Sequence, residues 1–138
     1  LFREVREERG LSYSVSSSLA PMAQNGPYTF SLQTRNDQTG EALRGLRETV
    51  RTFYEQGPTE AELVAAKKNI TGVFPLRIDS NSKIVEYLAM IGFYDLPLDY
   101  LETFNTRVMA VNREQIVDAF QRRVTPDTMV TIIVGGDS

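Results

Sequence analysis

Apolar and polar residues alternate twice near the start of the chain. Leu11, Tyr13, Val15 and Leu19 fall on one side of a period-two pattern, and Ser12, Ser14, Ser16 and Ser18 on the other. After a turn region running from Pro21 to Pro27, Tyr28, Phe30 and Leu32 alternate with Thr29, Ser31 and Gln33. Successive side chains of a strand point to opposite faces, so both runs predict an antiparallel pair with one apolar face and one small-polar face. The connection is longer than a tight hairpin, which leaves the register open. Ahead of them, Leu1 to Arg9 reads as the end of a helix stopped by Gly10, a residue that tolerates the left-handed cap conformation.

The pattern then changes period. Leu43, Leu46, Val50 and Phe53 recur at helical spacing until Gly57-Pro58 ends the segment. Thr59 and Glu62 form a capping box ahead of Leu63, Ala66, Ile70 and Val73, and Pro75 breaks or kinks that helix. Ser80 or Asn81 opens a helix carrying Ile84, Leu88 and Ile91. Asp99 and Glu102 form a second box ahead of Leu101, Phe104 and Val108. Asn112 and Gln115 form a third ahead of Ile116 and Phe120. Pro126 follows, and Met129 to Val134 reads as a short apolar strand stopped by Gly135-Gly136.

Strands, a block of four or five helices and a returning strand predict an α+β fold, an antiparallel sheet with helices packed on one face. Two strands are marginal alone, so at least one further strand is expected, here or before Leu1. The 138 residues fit one domain. A chain that begins at Leu1-Phe2-Arg3 without Met reads as an excised or processed piece, so residues 1–138 are expected to be one domain truncated at its N-terminus.

Composition narrows the chemistry. The chain has no His, no Cys and no Trp, and 15 Lys+Arg against 18 Asp+Glu give a net charge of −3. Lack of His and Cys excludes a His- or thiolate-ligated zinc site, Ser-His-Asp and Cys-His nucleophiles, disulfides and iron–sulfur clusters. Carboxylate, Lys, Tyr, Ser, Thr and Arg chemistry remains. There is no basic footprint for nucleic acid, and Arg122-Arg123 suits the last turn of a helix. No apolar stretch approaches the about 20 residues of a membrane span.

Three clusters are candidates. Arg3 to Arg9 runs into Gly10-Leu11-Ser12-Tyr13 and brings a guanidinium and a phenol together; both are donors to a carbonyl or an oxyanion. A solvated helix end with a core tyrosine would look the same. The serine face, Ser12 to Ser18, has no base beside it to activate a hydroxyl; it reads as a polar sheet face or a groove for extended peptide, with Ser12, Ser14 and Ser16 as candidate substrate contacts. The acidic pairs Glu60/Glu62 and Asp95/Asp99 lack metal-loop spacing. No metal is assigned to the chain. Asn69-Ile70-Thr71 matches a glycosylation sequon but falls in mid-helix.

From Leu1-Phe2-Arg3-Glu4-Val5-Arg6-Glu7-Glu8-Arg9-Gly10-Leu11-Ser12-Tyr13 to Val15, through Gly57 to Leu63, and on to Pro126 to Gly135, the chain resembles the zinc-less second domain of the insulinase/pitrilysin-type metallopeptidases. That group includes mitochondrial processing peptidase and the core subunits of the cytochrome bc complex. The resemblance implies a two-part peptidase. One half carries an inverted H-x-x-E-H zinc motif, and the other contributes an Arg and a Tyr seven positions apart. Arg6 and Tyr13 match that pair in type and spacing, and the zinc motif is impossible here. By resemblance, zinc belongs to a partner domain or subunit, fused or as a heterodimer, with a peptide substrate closed between the halves. Tyr13 would donate to the developing oxyanion, and Arg6 would bind substrate backbone or orient Tyr13. Simple alternation sets Tyr13 beside Leu11 and Val15 on the apolar face, and a distortion near Gly10 would re-aim it. Paired bacterial relatives suggest a periplasmic location. The alternatives are a structural or assembly subunit, and a peptide-binding module without catalytic contribution.

Overall fold

The computed structural model describes residues 14–24 and 26–135. The expected helix end at residues 1–9 and its Gly10 cap lie outside the described residues. The chain divides into two compact units, one holding the residues up to Gly57 and those from Val117 onward, the other Pro58–Ile116.

In the first unit, β1 (Ser14–Leu19) and β2 (Tyr28–Gln33) form the expected antiparallel pair, with Ser14 opposite Gln33 and Leu19 opposite Tyr28. Helix α1 (Thr39–Gln56) buries Ala42, Gly45, Leu46 and Val50, the one-face spacing that the sequence carries. Val15 and Val124 join that core. Half-buried Phe120 packs beside it, edge-on to Tyr28 at 5.7 Å and to Phe53 at 4.9 Å. Such ring pairs contribute about 0.5–1.5 kcal/mol each beyond their buried area. The apolar side of the sheet is thereby tied to helical residues. α1 ends at Gly57, whose N–H donates to the Phe53 carbonyl at 2.8 Å.

Helix α5 (Arg113–Arg123) spans the division between the units and ends in Arg122 and Arg123, as expected. Arg122 donates to Asp118 one turn back at 2.7 Å. Its hydrogen bond to Asp118, and then the charge of that carboxylate, raise the guanidinium pKa above its ordinary value.

The second unit begins with the capping box at full strength. Glu62 N–H donates to Thr59 Oγ1 at 3.2 Å, and Thr59 N–H to Glu62 Oε2 at 2.8 Å, opening α2 (Glu60–Val73). A 3-10 turn at Phe74–Arg77 takes up Pro75 at its start, where the missing N–H costs nothing. Ser80 caps α3 (Asn81–Phe93), and α4 (Tyr100–Ala110) follows a Pro loop. Asn112 and Gln115 form the third box reciprocally, at 2.9 and 2.8 Å. Leu63, Phe74 and Ile91 are buried, and Phe74 stacks on Phe104 with ring centroids 4.1 Å apart.

Two expectations are corrected, the second box and the returning strand. Asp99 makes no side-chain cap, because its backbone (φ −84°, ψ 11°) is not the extended conformation from which a cap turns back onto the helix. Ile70, Val73 and Leu88, which recur at helical spacing, are exposed; a unit this small cannot enclose every apolar stripe. Met129 to Val134 is not a strand: a 3-10 turn at Pro126–Thr128 leads into a segment without ladder bonds. Composition signals strand propensity, but a strand exists only where a neighbouring backbone completes it. Among the described residues the sheet has two strands. The fold class is α+β, as the patterning predicts.

Candidate functional site

Arg6, Ser12 and Tyr13 lie outside the described residues. Ser14 and Ser16 are described, and both are exposed on one face of the sheet. The register sets Ser14 opposite Gln33, Ser16 opposite Ser31 and Ser18 opposite Thr29. Ser14 Oγ donates to Gln33 Oε1 at 3.2 Å. The opposite face holds Val15, which is buried. The small-polar face that alternation predicts therefore exists: six uncharged side chains in two columns. Nothing among them activates a hydroxyl, and the face suits close backbone approach better than nucleophilic chemistry.

Beside the sheet lies a groove of about 740 Å³, lined by β2, α1 and the segment after Pro126. Arg47 and Arg51 border it, four residues apart on α1. Arg47 donates to Thr131 Oγ1 at 3.0 Å and Arg51 to Asp127 Oδ1 at 2.6 Å. Sequence reading passes over both arginines, since charges on an amphipathic helix look like solvated surface. Their i,i+4 spacing was the available signal.

The acidic pairs do separate work. Glu62 belongs to the α2 cap, and Asp99 lies 3.7 Å from Arg107. Among the described residues no group of three or more His, Cys, Asp or Glu could hold a metal ion, and the full chain contains no His or Cys. These donors do not fit a zinc centre within this chain. Thr71, in the glycosylation sequon, donates its hydroxyl to the Lys67 carbonyl inside α2. No described helix is long and apolar enough to cross a membrane.

Comparison with known proteins supplies the wider frame. The solved peptidase M16 inactive domain from Pseudomonas fluorescens superposes with a TM-score of 0.82 at 37% identity, over 91% of this chain and 30% of that one. A Bacillus subtilis protein named an uncharacterized zinc protease, YmxG, is 29% identical over 96% of this chain and 32% of its own length. A Helicobacter pylori relative, named a non-peptidase homolog, is 26% identical over 97% of this chain and 31% of its own. The chain thus spans about a third of the length of these curated relatives. The family model for the peptidase M16 inactive domain matches residues 1–70. By that match, and by the fold that it shares with the solved domain, this chain belongs to the peptidase M16 inactive-domain family.

Proposed function

We propose that the chain is the half of a two-part zinc endopeptidase that binds no metal, closing over an extended peptide and lending donors to a partner that carries H-x-x-E-H. The observation that carries this reading is the inactive-domain match over residues 1–70, a stretch that includes both Arg6 and Tyr13. In a two-part site, zinc held by the partner's H-x-x-E-H residues would supply the activation of the attacking water. This chain's task is at the other end of the reacting bond. The Tyr13 phenol donates to the carbonyl oxygen as negative charge grows on it, and Arg6 holds the substrate backbone or fixes the phenol's direction. Donors set in place beforehand favour the transition state over the ground state. The exposed, uncharged face with Ser14 and Ser16 supports the peptide role, since its hydroxyls can donate to and accept from a peptide's amide groups.

The test is reconstitution with the zinc-motif partner and a peptide cleavage assay. Tyr13→Phe lowers kcat by about 100- to 1,000-fold, and Arg6→Ala raises KM. Unchanged kcat in Tyr13→Phe overturns the oxyanion role.

A second reading has its own support in the Helicobacter pylori relative, whose name marks it as a non-peptidase homolog. There the chain serves assembly or structure only. Cleavage that requires the chain yet tolerates both variants selects that reading.

A further inference from the structure

Gln33 is the one long side chain on the polar face of the sheet. Ser14, Ser16, Ser18, Thr29 and Ser31 carry hydroxyls on short stems, and each hydroxyl can donate or accept. Gln33 is exposed at the end of the ladder, directly across from Ser14. Ser14 Oγ donates to Gln33 Oε1 at 3.2 Å. That bond decides which way round the amide stands. A carboxamide is planar, so a held Oε1 also holds Nε2, and the two N–H donors of Nε2 are left over. Among the described residues the Gln33 side chain makes no other hydrogen bond. The cation nearest to it in sequence is already engaged: Arg35 donates to the Asp37 carboxylate at 3.0 and 2.7 Å.

We propose that Gln33 is a substrate-binding residue, its Nε2 donating to a main-chain carbonyl of the bound peptide, with Ser14 as the residue that positions it. This rests on the two-part peptidase reading above. Ser14 follows Tyr13 in the chain. The Cα atoms of Tyr13 and Gln33 are therefore at most about 9 Å apart, one peptide bond and one ladder pair. An extended peptide rises about 3.3 Å per residue, so the held carbonyl belongs within a few residues of the scissile one. Every peptide offers a carbonyl at every position. A neutral donor to that group adds affinity for extended peptides without choosing between acidic and basic side chains.

The test is steady-state peptide cleavage by the protein reconstituted with its zinc-motif partner. Gln33→Ala is expected to raise KM about 3- to 10-fold, the range of one neutral hydrogen bond, with kcat near wild type. Gln33→Glu keeps the length but has no donor at neutral pH, and KM rises at least as far. Ser14→Ala raises KM less, and adds nothing in the Gln33→Ala background. A second measurement replaces the peptide bonds near the scissile one, one at a time, by an (E)-alkene, which deletes the carbonyl. At one position the replacement weakens binding to wild type and leaves Gln33→Ala unaffected. Unchanged KM in Gln33→Ala, beside a loss of kcat in Tyr13→Phe, overturns the proposal and leaves the peptidase reading standing. A raised KM with every alkene peptide weakened equally in both proteins also overturns it, since Gln33 then only braces the sheet. Cleavage that tolerates both Tyr13→Phe and Arg6→Ala, or no cleavage by the wild type, removes the reading and the proposal together.

Discussion

Arg51 and Asp127 meet at 2.6 Å although 76 residues separate them in sequence, and one turn earlier on α1 Arg47 reaches Thr131 at 3.0 Å. Two side chains on a single helix face thus fix the course of the segment after Pro126. Both members of the ion pair are well exposed, 61% and 80%, which sets its energetic scale. Arg51→Ala is expected to cost less than about 1 kcal/mol in urea denaturation. The Arg47→Ala/Arg51→Ala double variant instead accelerates proteolysis within residues 126–134 while leaving α1 intact by circular dichroism.

Gly57 ends α1 at φ 68°, ψ −169°, a region that essentially only glycine populates. A Cβ there would also stand 2.3 Å from Val117 Cγ2. Gly57→Ala is expected to destabilise the protein by about 1–3 kcal/mol, read as a fall in the denaturation midpoint. Adding Val117→Ala removes the contact but not the backbone cost, so recovery is partial. Full recovery would assign the whole effect to the side-chain clash.

Phe120 gathers Tyr28, Phe53 and Tyr54 around one ring. Phe120→Ala is expected to cost about 3 kcal/mol, measured by chemical denaturation. Phe120→Leu restores much of the volume and part of the loss, because the edge-to-face geometry does not return.

Zinc titration separates this half from a metal-bearing one. The purified chain, dialysed and analysed for metals, is expected to retain no stoichiometric zinc. Tight one-to-one binding would contradict the assignment of zinc to a partner.

The sequence disclosed most where local rules act alone. The serine alternation located β1 and its polar face. Thr59 with Glu62 and Asn112 with Gln115 are caps whose two partners lie three residues apart, so both could be read directly. Asp99 shows the limit: the residue type is right, but a Pro loop sets its backbone away from the cap conformation. Ile70, Val73 and Leu88 recur at helical spacing and are exposed, because that spacing tells which residues share a face, not whether anything covers that face. Met129 to Val134 failed as a strand for the same non-local reason. The i,i+4 spacing of Arg47 and Arg51 shows that they share a helix face, but the groove unites residues 47 and 51 with residues 127 and 131, which no window on the sequence joins.

The hydroxyl-lined sheet face carries a last consequence. Ser14, Ser16, Ser18, Thr29, Ser31 and Gln33 bear no formal charge, so this surface offers no ionic attraction for dissolved salt to weaken. Contacts made there contain no ion pair for salt to screen. The face therefore adds no charge of its own to draw a molecule in from a distance, and what binds there is retained by short-range contact.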